Sequence, residues 1–197
     1  MEQKELDTLF RCAVGLYGIL HVRHLKEVIE HYSGEHCTRK EILHYLETAA
    51  IPGCCFKDGF LYQEGIFDSW QQWETILERS ANKPLYFPKK DEFLHYADAN
   101  YIEWNASSQA LLDFLAQQTS YGNLRPLVEK IALHLRRGSS PQEEMRHLLN
   151  ANIRISEEQL GRFGNLFVQF YNHIRLYVDH GYTPEELKDA HFKKQRT

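Results

Sequence analysis

Within its first 65 residues the chain switches from apolar residues three and four apart to short runs of strand-forming residues, and Asp58-Gly59 marks the switch. Leu6, Leu9, Phe10, Ala13, Val14 and Tyr17 make one helical stripe over 4–17. Leu25, Val28, Ile29 and Tyr32 repeat it over 22–32, and Ser33-Gly34 stops it. Thr38 and Glu41 then form a capping-box pair ahead of Ile42, Leu43, Tyr45 and Leu46, which predicts a third helix ending near Ala49. Beyond Pro52-Gly53, Cys54-Cys-Phe56 and Phe60-Leu-Tyr62 flank Lys57-Asp58-Gly59. Asp-Gly suits a tight hairpin turn, because both of its central positions need positive φ. Three helices followed by a hairpin is the order of a winged helix, with the third helix in the recognition position and 57–59 as the wing tip.

The remainder is expected to be helical. Trp70, Trp73, Ile76 and Leu77 share a helical face, Lys83–Pro88 is extended by its prolines, and a short helix follows over 90–99. Further helices are expected over 110–117, over 127–137 with Pro126 at its start, and over 142–150 with a Ser140–Glu143 box. The longest is expected to begin at Ser156 with Gln159 and to run to His180 with Gly181 as its stop, before a last short helix at Thr183-Pro184. The expected fold is therefore mainly α: a winged-helix-like domain over 1–67, an aromatic-rich connector over 68–105 and a helical bundle over 106–197.

With 43% hydrophobic and 25% charged residues in 197, the chain can bury a core, so general disorder is excluded. The start Met1-Glu-Gln-Lys-Glu-Leu-Asp lacks the basic and apolar regions of a secretory signal, and no run approaches the length of a membrane span, so a cytoplasmic protein without membrane contact is expected. Cys12, Cys37, Cys54 and Cys55 show no Cys-x-x-Cys spacing, and free thiols are expected. His21 and His24 lie three apart, as metal ligands on a helix can, but no accompanying acid completes a motif, and the eleven histidines are expected as scattered surface residues. No Gly-rich phosphate loop, Gly-x-Ser-x-Gly or spaced acid pair is present. A non-enzyme without metal or cofactor is expected.

Three blocks carry a resemblance: Asp7-Thr-Leu-Phe-Arg-Cys-Ala-Val-Gly-Leu-Tyr-Gly18, Lys83-Pro-Leu-Tyr-Phe-Pro-Lys-Lys-Asp-Glu-Phe-Leu-His-Tyr-Ala-Asp98 and Tyr171-Asn-His-Ile-Arg-Leu-Tyr-Val-Asp-His-Gly-Tyr-Thr-Pro-Glu-Glu-Leu187. In this order they resemble a set of uncharacterised bacterial proteins in which the last block is commonly followed by an SEC-C zinc motif. The resemblance implies an architecture and no activity. Residues 188–197 contain no cysteine, so no zinc function carries over.

The net charge of −4 is unevenly spread. Residues 1–70 hold seven basic and eleven acidic side chains, whereas 123–197 hold twelve and nine. On the third helix Arg39, Lys40 and His44 are the candidate contacts, with Lys57 at the wing; this is a thin basic face for reading DNA. Arg136, Arg137, Arg146 and Arg154 are the candidates for a second, anion-binding face, while Lys193, Lys194 and Arg196 are expected to be solvated. Asn172 and Arg175 are expected as structural residues, the arginine clamping loop carbonyls. The function expected is non-enzymatic binding: docking on a protein or nucleoprotein partner and regulating it. Two further readings stay open. One is a phage or plasmid inhibitor of a host nucleic-acid-processing defence complex, such as an anti-CRISPR; the other is a winged-helix DNA-binding regulator.

Overall fold

The C-terminal half of α1 (Gln3–Tyr17) is apolar on every side and so lies inside the core, where every residue from Cys12 to Tyr17 is buried together with Leu9 and Phe10. Around it, in a computed structural model that describes residues 2–66, 70–120, 122–150 and 153–188, come β1 (Ile19–His21), α2 (Val22–Ser33) and α3 (Arg39–Thr48). The hairpin β2 (Cys54–Lys57) and β3 (Phe60–Gln63) turns through Asp58 and Gly59 at φ 52° and 81°, the conformation that Asp-Gly was expected to supply. Thr38 and Glu41 form the capping box at the start of α3. The sequence gives no sign of β1, because three residues are too few for alternation to register. It pairs antiparallel with β3, making a three-stranded sheet in the order β1-β3-β2.

Register settles the two faces of this sheet. His21 and Lys57 both stand opposite Phe60, and Ile19 and Cys55 both stand opposite Tyr62, so these six share one face. Leu20 and Leu61, on the other face, are buried in the α1–α2–α3 core. Trp73 of α4 (Trp70–Ser80) sets its ring edge-on to Phe60 and Tyr62, at 6.1 and 4.6 Å between centroids, so α4 covers the first face.

The chain divides into two compact units, Met1–Tyr101 with Tyr177–Gly181, and Ile102–Leu176 with Tyr182–Thr197. Much of the segment expected as a connector thus belongs to the first unit; the 67/68 boundary falls outside the described residues. The reason is aromatic burial. Phe93 of α5 (Lys90–His95) stacks on Tyr32 at 4.0 Å, and Tyr96 brings its carbonyl against α1. Gly15 permits that approach, since a Cβ there would stand 2.0 Å from the Tyr96 oxygen.

The second unit holds α6 (Ala106–Ala116), α7 (Arg125–Arg137), α8 (Pro141–Asn150) and α9 (Glu157–Asn172). Asn105 caps α6 by accepting from the amides of Ser107 and Ser108, and Ser156 with Gln159 forms the expected box at α9. The long helix expected to reach His180 ends eight residues earlier. His173 closes α9, its amide bonded to Phe170, and residues 174–181 are all buried along a non-α path with a 3₁₀ turn at Tyr177–Asp179. A helix presents one face to a core; a segment buried at every position gains more from leaving it. The amide of Glu186 bonds to the Thr183 hydroxyl at the start of the last helical turn, 184–188, and Lys193, Lys194 and Arg196 lie outside the described residues. Among the described residues no helix is long and apolar enough to cross a membrane.

Candidate functional site: the α3–hairpin face and an adjoining imidazole cleft

The capping box determines what α3 presents. The Glu41 carboxylate accepts from the Thr38 amide and hydroxyl at 2.7 and 2.8 Å, and those hydrogen bonds hold its pKa below the ordinary carboxylate value. Its charge is therefore spent at the helix start, and Arg39, Lys40 and His44 stand exposed beside it. Lys57 is exposed at the end of β2. Among the described residues none of these four side chains makes a hydrogen bond or ion pair. The Arg39 charge reaches the hairpin side: burial first, and then the charges of Arg39 and Arg23, lower the pKa of His21.

The four candidates of the second unit do not make a comparable face. Arg136 is 2% exposed and lies in the core, Arg137 is half-buried, and only Arg146 and Arg154 are exposed. The reason is helical phase. Val128, Ile131, Ala132 and Leu135 form the buried stripe of α7, and position 136 falls on it. That signal was present in the sequence. Glu144 is buried as well, with His134 Nδ1 at 3.2 Å and His147 Nδ1 at 3.6 Å.

Asn172 is half-buried at the end of α9. Arg175 is structural, but it bridges two carboxylates where carbonyls were expected, donating from Nε to Glu103 at 2.8 Å and from Nη1 to Glu186 at 2.9 Å. Burial opposes its charge, and the two acids outweigh burial, raising its pKa.

The histidines are not all scattered. His21, His24 and His180 line one cleft of about 280 Å³ in the first unit, with Arg23, Ser80 and the apolar Ile19, Phe60 and Leu77. The His24 and His180 rings meet edge-on at 5.3 Å. Each imidazole is pinned through one nitrogen. His21 Nδ1 accepts from the Arg23 amide at 3.3 Å, and His24 Nε2 accepts from Arg23 Nε at 3.0 Å. His180 Nδ1 lies 2.9 Å from the Lys83 carbonyl oxygen, which can only accept, so this nitrogen donates. Burial, then Arg23 and His21, push the His24 pKa down to about 4. Burial also lowers that of His180. His21 and His24 are neighbours in the sequence, whereas His180, far along the chain, joins them only in the fold. Among the described residues no group of three or more His, Cys, Asp or Glu side chains is placed to hold a metal ion.

Neither a protein-family model, nor a curated protein sequence, nor a solved structure matches this chain.

Proposed function

We propose that this chain is a non-catalytic docking protein whose α3–hairpin face engages an acidic surface of a protein or nucleoprotein partner and regulates it. The observation that carries this reading is the exposed, unpaired state of Arg39, Lys40 and Lys57 on a winged-helix-like frame, beside an acid already committed to the helix cap. Charge complementarity at such a face chiefly speeds encounter and fixes orientation. Residues 1–70 carry four more acidic than basic side chains, which disfavours the broad phosphate contact on which duplex binding depends.

The test is an affinity capture from the native host, with proteins and nucleic acids identified in the same eluate, repeated with Arg39→Ala/Lys40→Ala. A protein partner lost with the double variant supports the reading. A second reading, a DNA-binding regulator, is favoured by the recognition-helix position of the same residues. Micromolar binding of random duplex DNA that weakens steeply with salt would put that reading in place of the first.

A further inference from the structure

We propose that the imidazole cleft of the first unit binds a small planar aromatic carboxylate, the guanidinium of Arg23 pairing with the carboxylate. The cleft does not depend on the docking reading: the one side chain common to both is Arg39, which adds charge near His21 and does not line the cleft.

A guanidinium Nε–H can only donate, so His24 Nε2 is its acceptor and the ring proton of His24 sits on Nδ1. That Nδ1–H is buried and makes no hydrogen bond, with Glu27 Oε1 3.4 Å away. The amide of Arg23 likewise makes His21 Nδ1 an acceptor, which leaves the proton on Nε2. Neither His21 nor His24 therefore offers the cleft a lone pair, which disfavours a cation; the His24 Nδ1–H is itself covered, so the donor open to an anion is the Arg23 guanidinium.

Charge agrees. Arg23 commits Nε to His24, and among the described residues its two Nη groups have no carboxylate partner. Planar and doubly donating, they match a carboxylate. Arg39 lies close enough to act on His21, and the two arginines outweigh Glu27, whose side chain is 53% exposed. Lys83 adds nothing net, because it is paired with Asp179.

Shape supplies the rest. Ile19, Phe60 and Leu77 give the cleft an apolar wall, and its 280 Å³ lies at the small end of ligand sites, suited to a single ring and too small for a nucleotide with all its parts. His180 Nε2, whose partner nitrogen is fixed on the Lys83 carbonyl, offers one acceptor, which suits a ring bearing a hydroxyl or N–H.

The experiment is calorimetric and NMR titration of the full chain with sodium benzoate, benzyl alcohol and inorganic phosphate. Saturable benzoate binding with a Kd on the order of 1 mM is expected, with benzyl alcohol and phosphate each at least about tenfold weaker. Arg23→Gln, a change at an exposed residue, is expected to weaken benzoate about tenfold or more. Leu77→Trp, which fills the cleft without altering charge, is expected to abolish binding, with the thermal midpoints of both variants recorded as the folding control. Equal binding of benzyl alcohol removes the carboxylate from the proposal, and tighter phosphate than benzoate removes the ring. Benzoate binding unchanged in both folded variants places the ligand elsewhere. No binding at 10-fold above the expected Kd overturns the proposal outright.

Discussion

In the first unit Arg39, Lys40 and Lys57 stand exposed and unpaired on α3 and the hairpin, although residues 1–70 are net acidic. In the second, where 123–197 is net basic, Arg136 is 2% exposed and Arg175 is held between Glu103 and Glu186. The charge balance of a segment therefore points away from the unit whose candidate cations are all open to a partner. What decides availability is helical phase and pairing. A cation on an apolar stripe is removed from the surface however basic its neighbourhood, and an acid tied into a cap leaves its neighbouring cations exposed in an acidic one.

Four variants test this contrast. Arg136→Ala removes a fully buried side chain from α7 and is expected to destabilise the second unit by about 3 kcal/mol, read by urea denaturation with amide exchange assigning the loss to that unit. A loss within 0.5 kcal/mol, roughly the surface value, would return Arg136 to the exposed class. Arg175→Gln strands two acids that are themselves partly exposed, so about 2 kcal/mol is expected by the same measurement. Thr38→Ala takes away the cap that holds Glu41 and is expected to cost about 1 kcal/mol in the first unit. Arg39→Ala/Lys40→Ala is expected to leave stability within about 0.5 kcal/mol while weakening the partner about tenfold. An unfolded double variant would show these cations to be structural too.

A pH dependence gives a further test within the first unit. The folded pKa of His24 is about 4, below the ordinary 6.5, so the unfolded chain binds more protons between these values. Stability of the first unit is expected to fall as pH drops from about 6.5 towards 4, and His24→Gln to flatten that slope, as urea midpoints at each pH would show. The sign is opposite to that of a histidine paired with an acid. A stability rising on acidification through this range would mean that Glu27 governs His24 instead.

How far the sequence could be read follows the range of the interactions involved. The helices of the first 50 residues, the Thr38–Glu41 and Ser156–Gln159 boxes and the Asp58-Gly59 turn are local, and local spacing finds them. β1 was missed because its pairing with β3 comes from about 40 residues away in the chain, a ladder fixed by tertiary structure. The end of α9 was missed because no Gly or Pro marks Asn172, and burial of all of 174–181 overrides helical spacing. Of the site, Arg39, Lys40, His44 and Lys57 were legible as polar positions on predicted elements. The cleft was not, since His180 enters it through a hydrogen bond to a residue 97 positions earlier.

That bond, with Tyr177–Gly181 as a whole, also bears on how the protein is made. The first unit is not complete when residue 101 leaves the ribosome, because His180, which lines the cleft, and Tyr177, whose ring abuts Gly18, have yet to be synthesised. Closing a loop of that length costs about 4 kcal/mol in chain entropy, a cost that a fragment ending at Tyr101 never meets and a fragment lacking the C-terminal quarter cannot offset. The N-terminal unit thus waits for a segment made some 75 residues after the rest of it, and a premature stop anywhere before residue 181 leaves it with its histidine cleft open at one wall.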